Sequence, residues 1–417
     1  MKKNILIWSA SYVPVLGGLQ TITESLAEGL KSRGNNITVL TNRIPSKLPK
    51  FELINDIPVY RYRFFHAIAP ISSFRSLVIS IYGFCIFPFR LIQLFFLFRS
   101  LKPDIINIHF PSQQIWWVRF LQKLFPSVEC IISLHGNEIL QFFEANDGIV
   151  QPRLKRNLAI AEKIKIHFLK SCLLNSRAVT ACSLYLMNMA KIIMNDKKFK
   201  GYVVYNGVDF TRFETKSRKS VEEKYLFAFG RLIYAKGFDM LIRCFKRLLD
   251  QKEENYKLII GGTGEELTNL KKLAVDLAVD DKIFFPGRLS PEDIVSYLQH
   301  SALTIIPSRN ESFGISLLEA IAGKSNIVAT NIGGLPEIAK YGNVLLCQPD
   351  EDSLFKAIAE AVRKPFFPDP KNAVELNKIF TRDYMIDQFA RIMDSAQATT
   401  INGDSVELHL FRESSTG

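Results

Sequence analysis

Short apolar runs alternate with amphipathic stretches along almost the whole chain. Residues 3–10 read as a buried strand, Gly17-Gly18 opens a turn, and Ile22, Leu26, Ala27 and Leu30 share one helical face. Gly34 stops that helix, and Ile37-Thr38-Val39-Leu40-Thr41 gives a second strand. This predicts a βαβ unit with parallel strands and a right-handed crossover. Residues 105–109, 130–134 and 178–182 are further short apolar runs of the parallel kind. From about residue 201 the pattern restarts. Strands are predicted at 225–229, 257–260, 283–285, 303–306 and 326–330. Helices are predicted at 238–250, 265–278, 291–299 and 314–322, with another opening near Asp352. Two alternating series of similar size predict an α/β chain of two Rossmann-like domains. They divide near residues 194–201, at the polar stretch Asn195-Asp196-Lys197-Lys198.

Residues 76–98 break this rhythm by crowding Phe84, Phe87, Phe89, Phe95, Phe96 and Phe98. The uninterrupted apolar run 77–89 has 13 residues, short of the roughly 20 that a spanning helix needs. Arg90 within the segment would cost about 2.5–3.5 kcal/mol at a bilayer centre. Arg75, Arg90 and Arg99 beside aromatic clusters fit a helix lying in a headgroup interface; a buried helical pair is the alternative.

Charge sharpens the division into halves. The chain carries a net +12, but residues 1–200 hold 26 Lys+Arg against 11 Asp+Glu and residues 201–417 hold 27 against 30. A basic first half and a slightly acidic second half imply different partners, the first of them anionic. An apolar fraction of 47% excludes a disordered chain. Six cysteines at 85, 130, 172, 182, 244 and 347 show no CxxC spacing, so neither a zinc site nor a redox pair is expected, and free thiols fit a reducing cytoplasm. The start, Met1-Lys2-Lys3-Asn4 before Ile5-Leu6-Ile7-Trp8, has too short an apolar run for a signal peptide and reads as the first strand.

Candidate chemistry gathers at strand ends. In Glu311-Ser312-Phe313-Gly314-Ile315-Ser316-Leu317-Leu318-Glu319 two glutamates stand eight apart, one in a loop and one on a helix. Gly314 opens that helix, whose free N–H groups suit a phosphate. Carboxylates bind phosphate poorly but accept well from sugar hydroxyls, so a hexose for one and a ribose for the other is the sensible chemistry. Gly230-Arg231 and Lys236-Gly237 follow the first strand of the second series and bring two cations to the same sheet edge, as a diphosphate requires. Gly17-Gly18 precedes a helix N-terminus, but Thr41-Asn42-Arg43 lacks the acidic residue of a dinucleotide site. Asp350-Glu351-Asp352 spells a metal-binding DxD, yet it stands before a helical run and reads as an N-cap.

Taken in order, Gly17-Gly18, His135-Gly136, Asn206-Gly207-Val208-Asp209, Gly230-Arg231 with Lys236-Gly237, and the spaced glutamates resemble the retaining glycosyltransferases of family four. The likeness covers about residues 3–395. It implies the GT-B fold, two facing Rossmann-like domains with a cleft between them and a C-terminal helix crossing back to the first. The implied division is 1–200 for the acceptor-side domain, 201–379 for nucleotide-sugar binding, 380–398 for the crossover helix and 399–417 for a tail. The resemblance implies that Arg231 and Lys236 stabilise a departing diphosphate, that Glu311 touches donor hydroxyls and that Glu319 holds the ribose. His135 would lie near the C6 end of the donor sugar. Amides of Gly314, Ile315 and Ser316 would support the phosphate, Gly264 and Arg288 would line the nucleobase pocket, and Gly17, Gly18, Asn206, Gly230 and Phe313 complete the donor-binding set.

The expectation is therefore a metal-independent, retaining hexosyltransferase with no cofactor. It would use a nucleoside diphosphate sugar, UDP before GDP, and a saccharide or lipid-linked acceptor of cell-surface polysaccharide or lipopolysaccharide assembly. It would work in the cytoplasm at an anionic membrane surface, with no nucleic-acid partner. A nucleotide-sugar epimerase or a non-catalytic partner subunit of the same fold are the alternatives.

Overall fold

The computed structural model describes residues 2–14, 17–63, 74–111, 115–196, 199, 201–214, 224–251, 256–364, 375–376 and 378–394. The expected tail at 399–417, and Lys197-Lys198 of the polar stretch, lie outside the described residues. The chain forms two compact units. One comprises residues up to Phe143, Pro152–Tyr205 and the chain from Asp383; the other comprises Glu144–Gln151 and Asn206–Arg382.

The first unit opens with β1 (Asn4–Ser9), α1 (Gly18–Ser32), β2 (Asn36–Asn42), β3 (Phe51–Ile54) and β4 (Ile57–Tyr62). Then come α2 (Phe74–Leu101), β5 (Ile105–His109), α3 (Ile115–Leu124), β6 (Glu129–Leu134) and α4 (Asn137–Leu140). In chain order a hairpin of β7 (Phe143–Asn146) and β8 (Ile149–Leu154) follows, of which Glu144–Gln151 belong to the other unit, then α5 (Ile160–Leu174), β9 (Ala178–Ala181), α6 (Leu184–Met194) and β10 (Gly201–Val203). Eight of these strands make one sheet in the order β10-β9-β6-β5-β1-β2-β4-β3. Its pairings are parallel except β3 on β4. The apolar runs read as parallel strands are buried almost throughout, as a sheet covered on both faces requires. The β3–β4 hairpin was not expected. Its two-residue turn puts Asn55 and Asp56 both at positive φ, the type I′ geometry whose twist matches the strands it joins.

Residues 76–98 are not a helical pair. They belong to the single 28-residue helix α2, which continues through Pro88. Leu94, Leu97 and Phe98 are buried, whereas Phe89, Ile92 and Phe96 are 70%, 54% and 63% exposed. Among the described residues no helix is long and apolar enough to cross a membrane.

The second unit runs β11 (Tyr225–Phe229), α7 (Phe238–Asp250), β12 (Lys257–Gly261), α8 (Leu267–Asp276), β13 (Ile283–Gly287) and α9 (Pro291–His300). It continues with β14 (Leu303–Ile306), α10 (Ile315–Ala322), β15 (Ile327–Thr330), α11 (Leu335–Ala339), β16 (Val344–Cys347) and α12 (Glu351–Arg363). Its sheet is wholly parallel in the order β13-β12-β11-β14-β15-β16. Third, second and first strands lie on one side and fourth to sixth on the other, the doubly wound order. Leu241 and Phe245 of α7 and Leu354 and Ile358 of α12 cover Leu226, Ala228, Ile260 and Ile305 of the sheet. Winding reverses between neighbours β11 and β14. Loops leaving their carboxyl ends diverge there and leave room for a ligand.

The last described helix, α13 (Arg382–Asp394), is part of the first unit from Asp383 onward. Met385, Ile386, Phe389 and Met393 form its buried face. Its acidic side pairs Asp394 with Lys3 at 2.9 Å and Asp387 with Arg33 at 2.5 Å. Gly29 of α1 makes the approach possible: a Cβ there would stand 2.2 Å from Ile386 Cδ1. Gly29→Val should cost about 1–3 kcal/mol in chemical denaturation by overpacking this contact. Ile386→Val in the same chain should return part of the loss.

Candidate active site

The carboxyl ends of β11 and β14 carry the first loops of the site. After β11 the chain passes Gly230 and Arg231 and makes a 3-10 turn over Tyr234–Lys236. After β14 it runs from Pro307 to Glu311 and enters α10 through Gly314. Ala235 holds the two loops together, since its carbonyl accepts the N–H groups of Arg309 (2.8 Å) and Asn310 (3.2 Å). Gly237 lets them touch: its φ is +67°, and a Cβ there would stand 2.0 Å from the Pro307 carbonyl oxygen. Only glycine meets both demands.

Arg309 braces this junction. Its guanidinium donates to both carboxylate oxygens of Asp239, at 2.6 and 2.9 Å, and lies 4.3 Å from the Tyr234 ring centroid. The side chain is 7% exposed, and a buried guanidinium is stable only when paired in this way. The Tyr234 hydroxyl in turn donates to Asp147, on the β7–β8 turn of the same unit. Two residues beyond each braced position stand Lys236 and Glu311. Their ammonium and carboxylate form an ion pair with side chains 17% and 15% exposed. Arg231, in the same loop after β11 as Lys236, is exposed.

The N-terminus of α10 closes the same corner. A Cβ on Gly230 would lie 3.9 Å from Ser316 Oγ, so the Arg231 loop and the first turn of α10 are neighbours. Gly314 caps the helix at φ +112°, and Ile315 and Ser316 follow half-buried. Their unpaired N–H groups and the helix dipole favour an anion there. Phe313 is 3% exposed, with its ring 6.2 Å from that of Phe380. Its side chain is core, leaving only its backbone for a ligand. Glu319 stands one turn in and accepts from Arg212 at 3.1 Å. Burial pushes its carboxyl up, and Arg212 pulls the other way.

Gly264 passes so close to Leu232 that a Cβ would meet its carbonyl at 2.2 Å. Arg288 is exposed after β13. Asn206 is buried, and next to it Gly207 packs against the backbone of Thr381 and Arg382. Asp350 accepts from the Ser353 N–H at 2.9 Å and N-caps α12, as its place before a helical run predicts. Among the described residues no group of three His, Cys, Asp or Glu side chains could hold a metal ion.

His135, Gly17 and Gly18 belong to the first unit. Gly17 caps α1 in extended conformation, and Gly18 is its exposed first residue. His135 follows β6 and is half-buried; its Nε2 lies 2.9 Å from Nδ1 of His109, the last residue of β5. Glu138 is 2% exposed and accepts the backbone N–H groups of His135 and Gly136. Burial pushes the His135 imidazole down to about 4 and the Glu138 carboxyl up to about 7. Arg212, Arg309, Asp239, His109 and Glu138 were not legible in the sequence, because each acts through a partner that only the fold or the local turn supplies.

Two Rossmann-like units in one chain, one with cations and carboxylates at its switch point, define the GT-B class. Sucrose-phosphate synthase of Thermosynechococcus elongatus superposes with a TM-score of 0.73 at 16% identity, over 93% of this chain and 98% of that one. HepE of Anabaena, solved with UDP and glucose, gives 0.65 at 16% identity, over 94% and 100%. In sequence, an uncharacterized glycosyltransferase of Methanocaldococcus jannaschii is 29% identical over 357 residues, 82% of this chain and 83% of that protein. A lipopolysaccharide core mannosyltransferase of Rhizobium leguminosarum is 33% identical over 152 residues, 35% of this chain and 41% of its own. The family model "Glycosyltransferase Family 4" matches residues 16–212 and "Glycosyl transferases group 1" matches 209–378. The chain belongs to the family-four glycosyltransferases that this pair of models describes.

Glu138 gives the site a signature in stability. Its folded pKa lies above the unfolded value, so its contribution falls as pH rises from about 4.5 through about 7. His135, with a lowered folded pKa, acts oppositely between about 4 and 6.5. Glu138→Gln should therefore gain on the wild type between pH 5 and pH 8, by up to about 3 kcal/mol. Urea unfolding of both proteins at the two pH values measures it, and an equal difference at each would contradict the assignment.

Proposed function

We propose that the chain transfers a hexose-type sugar from a nucleoside diphosphate sugar to a saccharide or lipid-linked acceptor, with retention at the anomeric carbon and without a metal ion. The observation that carries this is the Lys236–Glu311 pair at a switch point where the loop bearing Arg231 neighbours the first turn of α10. Two cations and a ring of free N–H groups suit a diphosphate leaving group, while carboxylates suit hydroxyls. UDP is the favoured base carrier, in keeping with the UDP and glucose in the similarly folded Anabaena protein.

Lys236 would exchange Glu311 for a donor phosphate, and Glu311 would then accept from a sugar hydroxyl. Both charges stay compensated through the exchange, which avoids stranding either in a mostly buried site. Glu319 would hold the ribose, with Arg212 keeping it ionised. As the C–O bond to the diphosphate loosens, positive charge grows at the anomeric carbon. The acceptor hydroxyl enters on the same face, its oxygen bonds to that carbon, and the leaving phosphate takes its proton. The protein supplies charge and positioning rather than a nucleophile. Arg231→Ala and Lys236→Ala should each lower kcat by about 100-fold or more. Mass spectrometry of UDP- and GDP-sugars with a lipid-linked oligosaccharide pool reads this out, and near-wild-type transfer by both variants would overturn the proposal.

The acceptor reading places the enzyme in the cytoplasm, on the anionic inner face of the membrane, in lipopolysaccharide or related polysaccharide assembly. Phe89, Ile92 and Phe96 of α2 are exposed on one face, and Phe120 and Leu124 of neighbouring α3 are 41% and 46% exposed. Phe87 joins the two helices, stacking on Trp117 at 4.2 Å and meeting Phe120 edge-on. Exposed aromatics on a basic half are the usual equipment of an interfacial contact. The partial likeness to a lipopolysaccharide core mannosyltransferase favours the same acceptor class. Phe89→Ser with Phe96→Ser should release the protein from anionic liposomes at low salt while leaving its thermal unfolding unchanged. Equal sedimentation of variant and wild type with the vesicles would remove the membrane from this picture.

A further inference from the structure

We infer that His109 is a positioning residue that fixes His135 as the tautomer carrying its proton on Nδ1. The consequence for substrate rests on the reading above; the tautomer itself does not. β5 and β6 are adjacent parallel strands with His109 opposite Ser133, which brings a histidine at the end of one strand beside a histidine just past the end of the other. The two rings lie 5.2 Å apart, inclined by 26°, and their facing nitrogens are 2.9 Å apart. At that distance one nitrogen donates and the other accepts.

The far nitrogen of His109 decides the direction. His109 is 0% exposed, and its Nε2 is buried without a hydrogen-bond partner among the described residues. The ring of Phe389 packs 5.9 Å away. If His109 accepted at Nδ1, its own proton would sit on Nε2 as a buried N–H with nothing to receive it. If it donates, Nε2 holds only a lone pair, and buried acceptors are left unsatisfied more readily than buried N–H groups. A doubly protonated His109 is excluded by burial and by the second imidazole, both of which hold it neutral. His109 therefore donates Nδ1–H to Nε2 of His135. Neutral His135 must carry its proton on Nδ1, at the other side of the ring. The Glu138 carboxyl is engaged with backbone N–H groups rather than with the imidazole.

His135 thus meets its ligand as a hydrogen-bond donor and not as a base. It selects an oxygen with a free lone pair, such as a sugar hydroxyl or a carboxylate, and it disfavours a protonated amino group. Nitrogen NMR of the full-length, 15N-histidine-labelled chain at pH 7, without substrate, tests the assignment. His135 is identified by the signals lost in His135→Asn. The expected spectrum has His135 protonated at Nδ1 and unprotonated at Nε2. His109→Gln, whose amide can still donate, should keep that pattern and most of the turnover. His109→Leu should move His135 toward the Nε2–H form and lower kcat by about tenfold or more. A wild-type His135 protonated at Nε2, or an unchanged tautomer in His109→Leu, would overturn the inference. Should the leucine variant fail to fold, the wild-type and glutamine spectra decide alone. Failure of the transfer reaction would leave the substrate-free spectrum untouched, so the two ideas fail separately.

Discussion

The paired bonds between Arg309 and Asp239 hold the second unit's site in register. A doubly wound sheet brings two loops out side by side at its switch point, but nothing in strand pairing fixes how those loops face each other. Here a buried guanidinium ties the start of α7 to the segment after β14, and its backbone N–H ties the same segment to Ala235. The bidentate geometry is what a lysine cannot reproduce. Lys236 and Glu311, each two residues from a braced position, inherit their mutual orientation from it. Gly237 is the steric counterpart, because any Cβ would push the loops apart.

Both predicted carboxylates of the site are already matched with cations. Lys236 covers Glu311, and Arg212 covers Glu319. Burial alone would push the Glu319 carboxyl toward its neutral form, and Arg212 opposes that drift. In the proposed reaction, ligand entry would be an exchange of partners within a compensated set rather than the uncovering of buried charge, which would be far more costly. Arg231 differs in being exposed.

The first unit solves a related problem with neutral groups. Two histidines from adjacent strands share one hydrogen bond, and burial keeps both neutral. Glu138 spends one oxygen on the N–H groups that shape the turn after β6. Fixed donors, not mobile charges, are what this edge offers. Farther along the same unit, α2 and α3 leave a row of aromatic side chains in solvent, the surface on which its basic composition would act.

Much of the fold could be read from the sequence, and for a local reason. Burial on both faces writes an apolar run, and a helix on a sheet writes a period of 3.6, so 105–109, 225–229 and 303–306 announced themselves. The hairpins β3–β4 and β7–β8 did not, because short, half-exposed strands have no such run. Gly230, Gly237 and Gly314 also stood out, since each occupies a backbone conformation that favours glycine. The charged partners were illegible. Lys236 and Glu311 are 75 residues apart and Arg212 and Glu319 are 107 apart, so their meeting depends on which strands become neighbours. By itself the sequence determined the elements, their buried faces and the loops able to bear chemistry. Strand order, a property of the whole sheet, decided which side chains meet: the two ion pairs, the Arg309 brace and the histidine pair.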